Sequence, residues 1–535
     1  MTERGAPLAT IRATGTRQLL EMVLLAVAFA AAHTQSPLFY SNQNQYLLHG
    51  AALAGEGYLA NDWLATTRDP TPLFSLVVAG AYSVHPWLLQ PAYFALLMTY
   101  FVAVRWLVAA VPGFPDTRAA RVTFATLFIA THAAILRWLS VEAAGVDYPW
   151  YFQVGVAAQY LLGPGIQPSA FGVLLVFAVG AFAHGRTTLA CALAAGACWF
   201  HSTYLLPAGL LVAGFVFALN RDGRTRTGVV AGAVALVVVV PVIAYTVWRF
   251  SPFEECSQEA LYLLANVRIP HHCLPSRWFD LISGLQLAWI ALGLLLVRGT
   301  GFGRALAFAA LGSALLTGLQ LIVRSDSLAL AFPWRISVLL VPVATAIIVA
   351  KLLVYAPPGK WAELAAIVGL FATVAGGVVV IACGLGYRTV DEREFYDHVR
   401  ATAKPDDVYL IPTDFPKVGS GRGAVSNTFK PPPRAKEGTN QIPVDLQRFR
   451  LATGARLYVD FKSVPYAADE VKEWRRRMTL AVDFYAKSVR DNEFYEVLKR
   501  EGITHVVAPQ SRPFVASFLE EEVYSDPAYI VYRVK

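Results

Sequence analysis

About eleven long apolar runs constrain this chain more than any motif does. A helix needs roughly 20 mostly apolar residues to cross about 30 Å of hydrocarbon. Runs approaching that length lie near residues 18–33, 92–111, 121–139, 168–184, 187–201, 203–219, 228–248, 279–297, 304–323, 335–355 and 362–386. Lipid offers no partner to backbone polar groups, so such segments are expected to be helical. A mean hydropathy of +0.47, with 56% hydrophobic and 15% charged residues, excludes an ordinary water-soluble globule. The apolar run after Arg4, Arg12 and Arg17 has no small-residue cleavage site behind it, so it reads as a retained first span and not as a signal peptide.

A further run, 72–88, is short and is bracketed by Pro72, His85 and Pro86. Counted as a crossing, it puts Arg118 and Arg121 on the outer side. Laid in the outer interface, it lets the basic loops "PDTRAAR", "HGR", "NRDGRTRTG", "VRGTGFGR" and "PPGK" share the inner side with the Arg17 region. The expected topology therefore has the N-terminus inside and the C-terminus outside. The formal charge of +8 is accounted for largely by these loops and gives no reason to invoke nucleic acid.

The composition changes after Tyr387. Apolar runs shorten to strand length, and "DEREFYDHVRATA", "KPDDVYLIP", "ARLYVDF", "AADEVKEWRRRM", "THVVAP" and "AYIVYRV" alternate helical and strand patterns. The expected fold is thus a polytopic α-helical membrane domain over 1–387, with a first outer loop at 34–91, and a soluble outer α/β domain over 388–535. The segment "KVGSGRGAVSNTFKPPPRAKEGTN" reads as a long exposed loop. Of five cysteines, Cys256 and Cys273 share one polar loop facing the outer side, where oxidising conditions would let them pair.

The loops assigned to the outer face collect the chemistry. They are richer in Asn, Gln, Asp, Trp, Tyr and Arg than the inner loops, a mixture suited to sugar rings and hydroxyls. Asp62 and Asp69 are candidate general bases: a partly desolvated carboxylate beside Trp63 can take a proton from an attacking hydroxyl. Each can equally cap an interfacial helix, as "NDW" and "RDPTP" imply. Arg137, Arg324 and Arg335 lie near outer span ends, where a guanidinium needs a partner. A lipid phosphate offers two parallel hydrogen bonds, and Glu142, Asp147 and Asp326 offer the alternative of an internal ion pair. His49 also faces outward and, with Trp63, Glu142 and Asp147, joins the three arginines as a candidate substrate-binding residue. His271 and His272 are adjacent and point apart in regular structure, so this pair gives no metal site by itself. No Walker or dinucleotide motif occurs. No cofactor is assigned, and nothing in the pattern calls for a divalent cation.

One span, a long outer loop with an acid near "DPTPLFSLVVAGAY", many further spans, and "EFYDHVRATAKPDDVYLIP" opening an outer domain resemble the GT-C superfamily of membrane glycosyltransferases. "FRLATGARLYVDFKSVPY", with "NQNQYLLHG" and "NDWL", is also similar to an uncharacterised bacterial membrane family. The GT-C resemblance implies an inverting transfer of sugar from a polyprenyl phosphate carrier to a cell-envelope glycan, lipid or protein acceptor, at the outer face of a bacterial inner membrane. It maps the first-loop acid of that superfamily onto Asp62 or Asp69. Many members carry adjacent acids there, whereas Asn61 precedes Asp62. The alternatives are a transporter or flippase of lipid-linked saccharides, a polymerase that joins them, and a membrane scaffold.

Overall fold

A computed structural model describes residues 8–250, 257–387, 392–415, 446–486, 492–514 and 519–534. Among them, six helices are long and apolar enough to cross a membrane: Pro86–Ala109, Ser202–Arg221, Thr225–Arg249, Gly301–Val323, Asp326–Tyr355 and Lys360–Ala382. Shorter apolar helices occupy Pro72–Tyr82, Pro168–Ala183, Thr187–Phe200 and Leu281–Leu296, and the first helix spans Leu8–Ala32. The chain is an integral membrane protein. Helices coincide with most of the apolar runs. The run 121–139 is the exception, because it breaks between helices Arg118–Ala130 and Ala134–Ala144. There the backbone of Ala133 bridges to His33 at the end of the first helix, a tertiary pairing that hydropathy does not register.

Helix Ser337–Tyr355 is the hub of the bundle. It is apolar on every side and is buried along most of its length, as a helix without a polar face must be. Its N-terminal approach, Pro333–Ile336, is a short 3-10 turn entered through Phe332 at φ 51°. Ser313 Oγ donates to Pro333 O at 2.6 Å, and Trp334 Nε1 donates to His272 O at 3.0 Å. The turn is therefore held from two sides.

The C-terminal domain is a three-layer α/β fold. Its strands β1 (Val408–Leu410), β2 (Arg456–Leu457), β3 (His505–Pro509), β4 (Leu519–Ser525) and β5 (Tyr529–Val534) lie in the order β2-β1-β3-β5-β4. The β1 pairs are parallel, with Tyr409 opposite Leu457 and His505; the β5 pairs are antiparallel. Successive residues alternate between the two faces. Leu410, Val506, Ile530 and Tyr532 pack with Trp474 and Met478 of helix Ala468–Ala486. Tyr409, Val507, Tyr529 and Val531 pack with Phe395, Val399 and Phe449 of helices Arg393–Thr402 and Phe449–Thr453. The expected strand in "ARLYVDF" is only two residues long, and β4 and helix Asn492–Arg500 complete the domain. The expected glycine- and proline-rich loop lies outside the described residues.

Candidate functional site

The first loop and the C-terminal domain meet through buried charge. Arg450 Nε donates to Asp62 Oδ2 at 2.9 Å, and its Nη1 donates to Asp460 Oδ2. Asp62 also accepts from Leu457 N at 2.8 Å and from Leu64 N at 2.9 Å, and its residue is fully buried. Asp460 Oδ1 accepts from Ser463 N at 2.7 Å, closing a tight turn. Beside this cluster the backbones of Gly57 and Gly454 touch: Tyr58 N donates to Gly454 O at 2.7 Å, and a Cβ on Gly57 would lie 2.6 Å from that oxygen. At the loop's far end, Arg68 pairs with Asp469 at 2.7 Å, and its amide donates to Glu470 at 2.9 Å.

These contacts fix the turn Asp460–Tyr466 over a cavity of about 320 Å³ between the domain and the bundle. Gln45 of the first loop donates to Val464 O at 3.2 Å and to Tyr466 Oη at 2.8 Å, pinning the same turn. Three cations line the cavity, each from a different segment. Arg335 comes from the 3-10 turn, Arg268 ends a six-residue π-helical stretch, Leu263–Arg268, and Lys462 lies on the pinned turn. None of the three forms an ion pair with a carboxylate among the described residues, and no Asp or Glu lines the cavity. Arg335 and Arg268 are 8% and 7% exposed, and the Nε of each is buried without a hydrogen-bond partner. Tyr204 and Phe332 lie 5.4 and 5.8 Å below the Arg335 guanidinium; Phe461 lies 5.0 Å from that of Arg268. Arg268 Nη2 also donates to Lys462 O, which ties the cations of bundle and domain together.

Burial, reinforced by the nearby positive charge of Arg268, lowers the Lys462 ammonium to about 7. Burial also brings His271 down to about 4 and takes His272 well below its usual value. The rest of the wall divides by polarity. Asn42, Gln159, Gln167 and Ser169 offer amides and hydroxyls, while Phe250, Leu264, Leu330 and Phe332 offer an apolar side. Phe332 and Ala158 adopt left-handed backbone at φ 51°, and strain of this kind persists where the surrounding packing over-determines it.

The structure separates most of the residues expected to act together. Arg335 lines the cavity. His49 lines a smaller side pocket that shares Gln45, Tyr46, Thr71 and Tyr466 with it. Asp62, a candidate general base, does not line the cavity: its oxygens are occupied by Arg450 and two backbone amides. Arg137 and Asp147 are likewise withdrawn from the site, because they pair with each other at 2.7 Å, wholly buried, with Trp150 3.9 Å from the guanidinium. Arg324 and Glu142 are exposed, Arg324 as the left-handed C-cap of its helix. Trp63 packs under Arg477 at 4.4 Å, outside the cavity wall. Asp69 accepts from Thr71 N at 2.8 Å and adjoins the wall residues Pro70 and Thr71; its Oδ2 has no partner among the described residues. Cys273 is buried, and Cys256 lies outside the described residues.

Sequence reasoning passed over Arg268, Lys462, Tyr466 and Arg450. Lys462 and Arg450 carry no local signal, since a cation in a soluble domain is normally surface. A signal for Arg268 existed in retrospect, as an arginine inside the apolar stretch "YLLANVRIP".

A family model described as a domain of unknown function, DUF6798, matches residues 434–481. That segment contains Arg450, Asp460, Lys462, Tyr466 and Asp469. No curated protein sequence matches the chain. Two crystal structures of ArnT from Cupriavidus metallidurans align along nearly its whole length. The one bound to undecaprenyl phosphate has 13% identity and a TM-score of 0.43, covering 97% of this chain and 98% of that one. The apo structure has 14% identity and a TM-score of 0.44, covering 98% of each.

Proposed function

We propose that the chain is a membrane glycosyltransferase of the GT-C type that takes a sugar from a polyprenyl phosphate carrier in the cavity beneath the C-terminal domain. The observation that carries this reading is the set of three cations without a carboxylate counter-ion. Buried charge without a partner is costly, so a site built this way is completed by an anionic ligand. The apolar side of the cavity suits an isoprenoid chain, and the amide side suits sugar hydroxyls.

In this reading Arg335 grips the phosphate through its planar fork, which matches phosphate geometry better than an ammonium does. The bond between the sugar's anomeric carbon and the phosphate oxygen breaks, and its electron pair leaves on that oxygen, where the cations offset the developing charge. The acceptor hydroxyl forms the new bond from the opposite face, and its proton passes to a carboxylate. Asp69 is the carboxylate we assign, because its Oδ2 is unengaged and it adjoins the wall. Asp62 is assigned the role of holding the first loop on the domain. We place the N-terminus in the cytoplasm and the cavity at the outer face of a bacterial inner membrane, where the sugar must arrive on its lipid. The acceptor is a cell-envelope glycan, lipid or protein.

The test is transfer from a radiolabelled polyprenyl-phosphate sugar in membranes containing the full chain. Loss of sugar from the lipid, abolished by Arg335→Ala and reduced at least 100-fold by Asp69→Asn, is expected. Movement of intact lipid across the bilayer without cleavage would replace this reading with that of a flippase.

A further inference from the structure

The cationic cavity has a neighbour. Between the segment 148–158 and the first turns of helix Leu281–Leu296 lies a smaller pocket, and Ala158 and His271 line both spaces. The two therefore share a partition. His272 Nδ1 donates to Ala157 O at 2.8 Å, Val156 N donates to Ser337 Oγ at 3.0 Å, and Gly155 N donates to Gln159 O at 2.9 Å. These contacts hold Ala157 and Ala158 in left-handed backbone at φ 61° and 51°, a conformation that persists only where its surroundings impose it.

The chemistry of this pocket differs from that of the cavity. Its rim carries one guanidinium, Arg277, and one carboxylate, Asp280, three positions apart. Neither forms an ion pair with the other or with any further side chain among the described residues. Asp280 Oδ1 accepts from Ser283 N at 2.8 Å as the helix cap, which leaves Oδ2 available. Gln286 Nε2 donates to Val154 O at 2.9 Å and to Tyr151 O at 3.2 Å, and its Oε1 has no partner among the described residues. Tyr151 is half-buried, and Trp278 is backed by Trp334 at 5.1 Å between ring centres, so two aromatic side chains complete the wall.

An anion in this pocket would meet Asp280, and a cation would meet Arg277. An uncharged ligand whose hydroxyls both donate and accept satisfies both groups and Gln286 as well. The aromatic side chains favour a ligand that also has an apolar face. Resting on the glycosyltransferase reading, we infer that this pocket binds an uncharged pyranose ring of the acceptor, with the hydroxyl to be glycosylated reaching past His271 into the cavity. Phe279 and Leu281 are exposed and alternate in sequence with the lining residues Trp278, Asp280 and Ile282. The mouth thus has an apolar border, which a saccharide carried on a lipid would also contact.

The experiment measures binding of the methyl pyranosides of glucose, galactose, mannose and N-acetylglucosamine, and of octyl glucoside below its micellar concentration, to the full chain in nanodiscs by saturation-transfer NMR. At least one is expected to bind. Arg277→Ala and Tyr151→Ala should each weaken it about tenfold, the worth of one charge-assisted or aromatic contact. Asp280→Asn keeps a side chain that can cap the helix and should weaken it similarly. Farnesyl phosphate affinity should stay within about threefold in all three variants. Octyl glucoside binding tighter than methyl glucoside, with the same loss in Arg277→Ala, supports a membrane glycolipid as the source of the ring; equal affinity supports a saccharide free of lipid. Absence of binding by every pyranoside, binding that survives all three substitutions, or displacement by farnesyl phosphate overturns the acceptor pocket alone. Failure of the parent chain to bind farnesyl phosphate overturns the glycosyltransferase reading instead.

Discussion

Arg450 and Asp62 stand 388 positions apart in sequence, and their side chains meet at 2.9 Å in a pocket closed to solvent. The pair joins the first loop to the C-terminal domain, and Asp460 on the same guanidinium extends the link to the turn that carries Lys462. An acid in this loop can therefore be essential without touching substrate.

Removing one partner of such a buried pair strands the other. Arg450→Met is expected to cost about 3–5 kcal/mol and to release the domain from the first loop. Limited proteolysis across residues 446–486, with thermal unfolding, measures this. Unchanged protection would show that the clamp does not hold the domain. Asp62→Asn should lower activity and stability together, whereas Asp69→Asn should lower activity alone.

The contact between Gly57 and Gly454 makes a separate claim on the same seam. Both residues have positive φ, at 50° and 70°, and a Cβ on Gly57 meets backbone at under 3 Å. Gly57→Ala should therefore destabilise the docked domain by about 1–3 kcal/mol. A chemical-denaturation midpoint equal to that of the parent chain would refute it.

Arg335→Lys preserves charge and loses the fork. Phosphate-lipid affinity should fall about tenfold, the consequence of one lost charge-assisted hydrogen bond. Calorimetry on farnesyl phosphate reads this directly, and full retention would mean that Arg335 acts as a point charge only.

Binding of an anion should depend on pH through Lys462. Burial and Arg268 hold its ammonium at about 7, and a bound anion raises that value. Below pH 7 the amine is already charged, and affinity is at its plateau. As pH rises through 7 the empty site loses its proton, binding must recover one, and affinity falls until the pH passes the bound-state value. Arg268 and Asp460 face Lys462; His271, brought down to about 4, and His272, also lowered, stay neutral above pH 6. The slope between pH 6.5 and 8 should vanish in Lys462→Met. A slope that persists would assign the titration to another group.

Much of the architecture was legible because it is written in local properties. Apolar length located the helices, and alternation located β1, β3 and β5. The break at Thr131–Ala133 escaped because a backbone bridge to His33 makes it. The helix Asn492–Arg500 and strand β4 completed the domain without having been anticipated.

The site was legible only at its edges. The sequence by itself determined that this chain lives in a membrane, that it ends in an α/β domain, and that guanidinium groups gather near the ends of its spans. These follow from composition and periodicity, which act over a turn of helix or a few residues of strand. Only the tertiary structure decided which charges are spent on one another and which remain for a ligand. Arg137 and Asp62 found carboxylate or guanidinium partners from other segments, while Arg335, Arg268 and Lys462 were brought around one cavity with none. Ion pairing in a low-dielectric interior is settled by distances of about 3 Å, and the folded chain alone sets those distances.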